Sequence, residues 1–233
     1  MPRAIFFLFL FVPLTLFVII TGVPITFLDP TGKFLHSYSK LWAKVGLFFA
    51  GVKIQVHGTD KIPAGVPLIF MGNHQSNFDI LTLYSGLPHH FSWIAKQELF
   101  RIPLFGYAMK RAGYLPLDRS DGRQALKTME FAAKKIRDGV SVMVFPEGTR
   151  SMDGKLLPFK RGGFLLAARA GVPIVPFTIS GSAQVNPPKR LAVRKGVISI
   201  RFADPIPTTG ATGKRRDELI SRVREAIEGG FED

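Results

Sequence analysis

The stretch Val66-Pro-Leu-Ile-Phe-Met-Gly-Asn-His-Gln-Ser-Asn-Phe-Asp-Ile80 joins an apolar run directly to a cluster of polar side chains. Residues 68–71 predict a buried β-strand, and the periodicity of residues 78–85 predicts a helix after a short turn. Buried polar groups need hydrogen-bond partners, so a polar cluster behind a core strand has to be explained. The turn either caps the helix or carries chemistry.

The same alternation of β-rich runs and amphipathic helices continues from Gly51 onward. It predicts strands at 52–56, 68–71, 92–95, 114–117, 141–145, 174–178 and 197–202, and helices at 78–85, 102–112, 122–137, 162–170 and 214–228. Apolar strands separated by helices favour a parallel or mixed sheet flanked by helices on both faces. Residues 51–233 are therefore predicted to form a single α/β domain. Two prolines in residues 172–178 predict a strand near a sheet edge or a bend.

Residues 4–28 form a run of 25 residues without a charged side chain. As a helix this run would be about 37 Å long, enough to cross a bilayer core of about 30 Å. Pro13 and Pro24 would each remove a helix hydrogen bond. A cleaved signal peptide is the alternative, but the run is long for one and lacks a small-x-small cleavage site.

A second helix is predicted for residues 34–49, which place apolar side chains on one face and lysines elsewhere. Tyr38 and Trp42 on the apolar side favour a helix that lies in the membrane interface. The alternative is a helix that packs on the protein's own core. We predict that residues 1–50 form a hydrophobic two-helix membrane anchor.

The overall charge and composition limit the possible partners. The formal net charge is +14, which favours anionic partners such as phospholipid surfaces, phosphorylated metabolites, acidic proteins or nucleic acid. Hydrophobic residues make up 46% of the chain, and the mean hydropathy of +0.18 suggests contact with lipid. The absence of cysteine excludes disulfides, thiolate metal sites and a cysteine nucleophile.

His74 and Asp79 are the candidates for chemistry in the first turn. On a continuous helix five residues correspond to about 140° of rotation, so their side chains would not face each other. A strand-to-helix turn, with Ser76 or Asn77 as N-cap, would fold the histidine back over the first helical turn. An ionised Asp79 on one imidazole nitrogen would leave the other nitrogen free as a general base. Simple capping is the alternative.

A second polar turn follows the predicted strand at 141–145, within Val144-Phe-Pro-Glu-Gly-Thr-Arg-Ser151. Ligands of open α/β sheets bind at the carboxyl ends of strands, where this turn would lie. Arg150 offers a bidentate fork for phosphate, and Gly148 allows close approach of the backbone. Lys160, before a predicted helix, occupies a position that could face an anion.

Four ordered blocks carry a family resemblance. They are Asn-His-x-x-x-x-Asp from Asn73, Lys-x-Glu-Leu from Lys96 with Asp118-Arg119, Phe-Pro-Glu-Gly-Thr-Arg-Ser from Phe145, and Val-Pro-Ile-Val-Pro from Val172. Their order and spacing resemble the glycerolipid acyltransferases, most of all the bacterial 1-acyl-sn-glycerol-3-phosphate acyltransferases. The resemblance covers about residues 66–182.

The resemblance implies a reaction and roles for the site residues. His74 would be the general base and Asp79 would orient it, as a lysolipid hydroxyl attacks an acyl thioester of acyl carrier protein or coenzyme A. Lysophosphatidate would become phosphatidate, with no cofactor and no metal. The implied substrate-binding residues are Lys96, Arg119, Glu147, Gly148, Thr149, Arg150 and Lys160. The family's N-terminal helix pair dips into one leaflet, which implies an anionic inner membrane with the catalytic domain on its cytoplasmic face.

Other functions stay open at this point. The same chemistry could act on another acceptor, such as a lyso-ornithine lipid or a lysophospholipid with a headgroup. A metal-dependent hydrolase could use His74, Asp79 and Glu147 as ligands, although the five histidines show no ligand spacing. A non-catalytic basic module could bind membrane or nucleic acid, but it would not need a polar His–Asp turn beside an arginine-bearing one. We expect no nucleic-acid partner.

Overall fold

A seven-stranded mixed sheet organises the part of the chain that the computed structural model describes, which is residues 1–29, 31–117, 122–211 and 213–231. The strands are β1 (Val52–His57), β2 (Ile69–Gly72), β3 (Ser92–Lys96), β4 (Leu115–Leu117), β5 (Val142–Val144), β6 (Ile174–Ser180) and β7 (Gly196–Phe202). Their order across the sheet is β1-β7-β6-β2-β5-β3-β4. Neighbours run parallel except β6 and β7, which pair antiparallel.

Helices cover both faces of the sheet. They are α1 (Pro2–Leu28), α2 (Lys33–Ala50), α3 (Phe78–Gly86), α4 (Phe105–Arg111), α5 (Gly122–Arg137), α6 (Arg161–Ala170), α7 (Ser182–Val185) and α8 (Lys214–Glu228). Leu68 and Phe70 pack with α1, α2 and α3 on one face, and Ile69 and Met71 pack with α5, α6 and α8 on the other. The alternation of side chains along β2 therefore serves two cores, and the predicted α/β fold is confirmed.

The proline-containing strand β6 lies inside the sheet, between β2 and β7, so the prediction of an edge position was wrong. Proline cannot donate a backbone hydrogen bond, which normally confines it to edges. Here the antiparallel ladder with β7 covers Phe177–Ser180, beginning one residue after Pro176. The missing donor therefore falls just outside the ladder on that side.

Of the two helices predicted to form the membrane anchor, only α1 is long and apolar enough to cross a membrane, within the residues the structure describes. α2 is amphipathic and buries Ala43, Leu47 and Ala50 in the core that also contains α3. The prediction of two hydrophobic anchor helices is thus corrected to one, because α2 carries three lysines and is apolar only on one side, which packs on the domain. α2 still exposes Phe34, Leu41 and Phe48.

Helix α1 is held against the domain along its length. Arg3 Nη2 donates to the Ala50 carbonyl at 2.6 Å, and the Phe7 ring lies 5.4 Å from that of Phe78. Near its other end, Arg111 of α4 donates to Thr26 Oγ1 at 3.0 Å and to the Thr26 carbonyl at 2.6 Å. α1 is therefore packed on the domain while much of its surface remains apolar and exposed.

Candidate active site

The turn after β2 is held by close packing at Gly72 and by the hydrogen bonds of Asn73, neither of which involves a charged group. A Cβ at Gly72 would lie 2.2 Å from the Phe177 ring, so only glycine fits there. Asn73, which is 1% exposed, donates from Nδ2 to the Ile179 carbonyl at 2.8 Å and accepts from the Ile179 N–H at 2.7 Å. The asparagine side chain thereby continues the pairing of β2 with β6 and holds His74 at the end of the strand.

The predicted contact between His74 and Asp79 is present. Nδ1 of His74 lies 2.7 Å from Oδ2 of Asp79, whose side chain is fully buried. The same oxygen accepts the N–H groups of Gln75 and Ser76, each at 2.8 Å. Three donors stabilise an ionised carboxylate. Because Nδ1 faces this acceptor, Nδ1 carries the proton and Nε2 is left as the acceptor nitrogen.

The turn after β5 holds the backbone of His74 from the other side. Oε1 of Glu147 accepts the His74 N–H at 2.7 Å, and Oε2 accepts the Leu157 N–H at 2.8 Å. The Ser151 N–H donates to the His74 carbonyl at 2.8 Å. Glu147 is 2% exposed, and burial raises the pKa of its carboxyl, opposed by its two amide hydrogen bonds. Both carboxylate oxygens of Glu147 therefore accept hydrogen bonds from backbone amides.

An aromatic contact fixes the imidazole plane. The rings of His74 and Phe145 stack with their centroids 4.0 Å apart and 6° between their planes. Phe145 precedes Pro146 and Glu147, so one short segment contacts both the ring and the backbone of His74. The stacking therefore holds the imidazole ring in one orientation at the end of β2.

A cavity of about 710 Å³, named here the polar cavity for the basic side chains in its wall, opens on one side of His74. Its wall includes the basic side chains of Lys96, Arg150 and Lys160. Arg150 Nη1 donates to Asn77 Oδ1 at 2.6 Å, which ties the β5 turn to the start of α3. Gly148 and Thr149 also line this cavity, and Gly148 has a φ of 70°, which favours glycine. The concentration of positive charge suits an anionic group.

An apolar cavity of about 260 Å³ opens on the other side, and His74 and Phe145 line both cavities. Helices α1, α2 and α4 contribute to its wall; examples are Val18, Trp42 and Met109. The hydroxyls of Tyr84 and Tyr114 in the wall are hydrogen-bonded to each other, and burial raises the pKa of Tyr114 to about 12. Apart from His74, the side chains of this wall are apolar or carry only hydroxyl groups or the indole of Trp42 or Trp93, so the cavity suits an apolar chain.

The structure brings most of the predicted site residues together. His74, Gly148, Thr149, Arg150, Lys96 and Lys160 line the polar cavity, Asp79 lies behind His74, and Glu147 contacts the His74 backbone. Arg119 lies outside the described residues. Sequence reasoning missed Asn73 and Phe145 as supports of His74. Each of them begins one of the four sequence blocks, but nothing in the blocks indicates these contacts, which depend on which strands are neighbours.

A candidate metal centre would need several ligand side chains that point to one position. No group of three His, Cys, Asp or Glu side chains converges in this way within the described ranges. Of the three groups suggested for a metal-dependent hydrolase, Asp79 Oδ2 accepts hydrogen bonds within its own turn, and Glu147 accepts two from backbone amides.

A protein-family model described as Acyltransferase matches residues 53–180. The chain belongs to the Acyltransferase family. The match includes both turns, the five strands β2 to β6 and all but the first residue of β1. Family membership therefore rests on the segment that carries the His74–Asp79 pair and the whole lining of the polar cavity.

Named relatives and a solved structure agree with this family. A chloroplastic 1-acyl-sn-glycerol-3-phosphate acyltransferase of Brassica napus is 39% identical over 212 residues, covering 89% of this chain and 60% of the relative. The human 1-acyl-sn-glycerol-3-phosphate acyltransferase alpha is 36% identical over 181 residues, covering 77% and 64%. This acyltransferase-family chain spans about three fifths of their length.

The solved structure covers nearly the whole chain. The crystal structure of the 1-acyl-sn-glycerophosphate acyltransferase PlsC from Thermotoga maritima superposes with a TM-score of 0.81 at 27% sequence identity. The match covers 98% of this chain and 93% of that one. The acyltransferase-family chain has the same fold, including its N-terminal region.

Proposed function

We propose that this protein transfers a fatty acyl group from an acyl thioester to the sn-2 hydroxyl of 1-acyl-sn-glycerol 3-phosphate, which makes phosphatidate. One observation carries the proposal: a His–Asp pair lies where an apolar cavity meets a basic one. An acceptor with a phosphate head and a reacting acyl chain needs both environments at one base. The relatives described above carry the name of this activity.

His74 acts as the general base. Nε2 takes the proton of the acceptor hydroxyl while its oxygen attacks the thioester carbonyl carbon. Asp79 holds Nδ1–H and stabilises the imidazolium that forms. The tetrahedral intermediate then collapses, the carbon–sulfur bond breaks, and the leaving thiolate takes the proton back from His74. No covalent acyl-enzyme is needed, which agrees with a chain that has no cysteine.

The two cavities bind different parts of the substrates. Lys96, Arg150 and Lys160 bind the phosphate in the polar cavity, where an arginine fork matches phosphate geometry. The apolar cavity takes an acyl chain and brings its thioester carbon to His74. Glu147 and Phe145 act through His74 by holding its backbone and ring in place. Acyl carrier protein and coenzyme A both fit as the thiol carrier.

Membrane attachment brings the insoluble substrates to this site. α1 exposes apolar side chains such as Phe9 and Phe17, and burying them in lipid is favourable. We assign the protein to the inner membrane with the catalytic domain on the cytoplasmic face, where acyl carrier protein and coenzyme A thioesters are found. The net charge of +14 supports contact with an anionic leaflet.

The test is acyl transfer from a labelled thioester in detergent or vesicles. The acceptors are lysophosphatidate, lyso-ornithine lipid and headgroup-bearing lysophospholipids. Wild type should make phosphatidate with or without chelator, and His74→Ala should lose roughly 10²- to 10⁴-fold in rate, the usual range for a general base. His57→Ala is the control, because His57 is an exposed histidine on β1.

Each contrary outcome has a distinct meaning. Transfer only to another acceptor would keep the mechanism and change the substrate. Full activity of His74→Ala would overturn the assignment of the base, and inhibition by chelator would favour metal chemistry. Arg150→Ala should mainly raise the KM for lysophosphatidate, since it removes a phosphate contact and leaves His74 and Asp79 intact.

A further inference from the structure

A basic segment with one exposed apolar side chain lies between α7 and β7. Residues 187–195, named here the basic loop, contain Lys189, Arg190, Arg194 and Lys195 and no acidic residue. All four of these basic residues are exposed, and Leu191 between them is 51% exposed. Four positive charges around an exposed leucine are typical of a surface that meets anionic headgroups and inserts an apolar side chain below them.

The basic loop has a defined shape. Asn186 Nδ2 donates to the Ala192 carbonyl at 2.8 Å, and the Arg194 N–H donates to the Val185 carbonyl at 2.9 Å. Lys189 has a φ of 57°, a left-handed conformation that lysine rarely adopts. The exposure of Leu191 is therefore a property of a hydrogen-bonded loop.

The basic loop lies beside the start of α1. Val193 belongs to the core cluster that also contains Ala4 and Phe7 of α1. An added Cβ at Gly51 would lie 2.7 Å from Arg3 Nη2 and 3.1 Å from Lys195 Cγ. The loop is thus on the same face of the sheet as α1, and the two meet around Gly51.

The apolar surface of α1 continues to this end of the helix. Ile5, Phe6 and Phe9 are 59%, 59% and 74% exposed, and Phe48 at the end of α2 is 78% exposed. Positive charge from the basic loop and from Arg3 borders this apolar surface. An apolar surface with a basic border complements a bilayer that carries anionic lipid.

We propose that the basic loop is a second membrane contact, which binds anionic phospholipid headgroups beside the start of α1 and inserts Leu191 among them. The proposal uses the membrane attachment of α1 but not the acyl-transfer reaction. Asn186, the residue directly before the loop, contacts the turn that carries His74, because Ser76 Oγ donates to the Asn186 carbonyl at 2.9 Å. Contact with the membrane therefore sets the position of that turn relative to the headgroup layer.

Single cysteines test the proposal, since the chain has none of its own. Leu191→Cys, Phe9→Cys and Phe131→Cys are each labelled with an environment-sensitive fluorophore and reconstituted into vesicles. The vesicles contain phosphatidylcholine alone or mixed with phosphatidylglycerol, with nitroxide-labelled lipid as quencher. Phe131 is the matched control, because it is 53% exposed among lysines of α5, on the opposite face of the sheet.

The probe at position 9 should be quenched in both kinds of vesicle. The probe at 191 should be quenched in anionic vesicles and should lose this quenching in neutral vesicles or at high salt, which screens surface charge. The probe at 131 should stay unquenched in both. A probe at 191 that behaves like the one at 131 overturns the proposal. If the probe at 9 is also unquenched, the membrane attachment of α1 fails as well.

Charge reversal tests whether quenching depends on the charges of the basic loop or only on the net positive charge of the protein. In the Leu191→Cys chain, Lys189→Glu with Arg190→Glu should abolish quenching in anionic vesicles. Lys127→Glu with Lys135→Glu removes the same charge from α5, where both lysines are exposed, and should leave quenching unchanged. Equal loss in the two double variants would mean that only net charge matters, which would contradict a contact at the basic loop.

Discussion

The two turns that meet at His74 differ in where their carboxylates find partners. Asp79 accepts three hydrogen bonds from donors three to five residues away, all within its own turn. Glu147 accepts one from His74, 73 residues earlier, and one from Leu157. The local carboxylate of Asp79 contacts Nδ1 of the imidazole, and the distant carboxylate of Glu147 holds the backbone that carries it. Changing them should therefore have different consequences.

The largest effect is expected from removing the local charge. Asp79→Asn keeps the size of the side chain, and its amide oxygen can still accept from Gln75 and Ser76. It has no charge to stabilise the imidazolium, so kcat should fall by roughly 10²- to 10⁴-fold, the usual contribution of general base catalysis. The melting temperature should change far less than the rate. Steady-state kinetics and thermal unfolding in detergent measure the two.

Asp153→Asn is the matched control for this change. Asp153 also accepts from its own turn, from Ser151 Oγ at 3.0 Å and from the Lys155 N–H at 3.1 Å, but it is exposed and does not contact His74. Its kcat should stay near that of wild type. Near-normal kcat for Asp79→Asn would show that the charge on Asp79 is not needed.

The contrast between the turns also explains what the sequence could reveal. The strand, turn and helix of residues 66–80 follow each other along the chain, so local signals could predict a turn that brings His74 to Asp79, although simple capping stayed open as the alternative. The same reasoning placed all seven strands, whose predicted ranges overlap the observed ones. Local periodicity and turn chemistry carry this information.

The distant contacts needed the order of the strands. Glu147 and Phe145 reach His74 because β5 lies beside β2, although β3 and β4 separate them in sequence. Nothing within the segment 144–151 indicates that neighbour. The internal position of β6 was missed for the same reason, because the prolines give a local signal and the pairing with β7 is not local. α2 has a pattern that suits either lipid or core, and only tertiary packing decides between them.

A smaller effect on rate, combined with a loss of stability, is expected from the distant carboxylate. Glu147→Gln leaves one oxygen and places an amide group against the N–H of His74 or Leu157. A buried amide left without a partner costs about 1–3 kcal/mol. The kcat should fall less than in Asp79→Asn, with little change in the KM for lysophosphatidate, because the variant displaces the base and leaves the basic side chains of the polar cavity in place.

Glu130→Gln is the control for this variant, since Glu130 makes an exposed ion pair with Arg137 at 3.0 Å. Exposed pairs contribute only about 0–1 kcal/mol, so both stability and kcat should stay close to wild type. A Glu147→Gln enzyme that keeps its kcat but has a raised KM would instead favour direct contact between Glu147 and the substrate. Loss of stability without any loss of kcat would limit Glu147 to a folding role.

The smallest expected effect is on the pH dependence of stability. Comparing wild type with Glu147→Gln isolates the contribution of Glu147 to that dependence. Burial raises the pKa of Glu147 in the folded state above its ordinary value of 4.5. At pH values between 4.5 and the raised pKa of the folded state, the folded protein binds more protons at Glu147 than the unfolded protein does. The contribution of Glu147 to the free energy of unfolding therefore falls as pH rises. The difference in unfolding free energy between wild type and Glu147→Gln should therefore shrink as pH rises from about 4.5 through this window.

The difference in unfolding free energy between wild type and Glu147→Gln does not contain the contribution of buried histidines, because both proteins have it. Burial lowers the pKa of His36 to about 3, so both chains lose stability as pH falls below the ordinary histidine value of 6.5. That loss is common to wild type and variant and cancels. Chemical denaturation in detergent across the acidic range measures the remainder. A difference that grows with rising pH would mean that the two amide hydrogen bonds outweigh burial, so that Glu147 stabilises the fold as an anion.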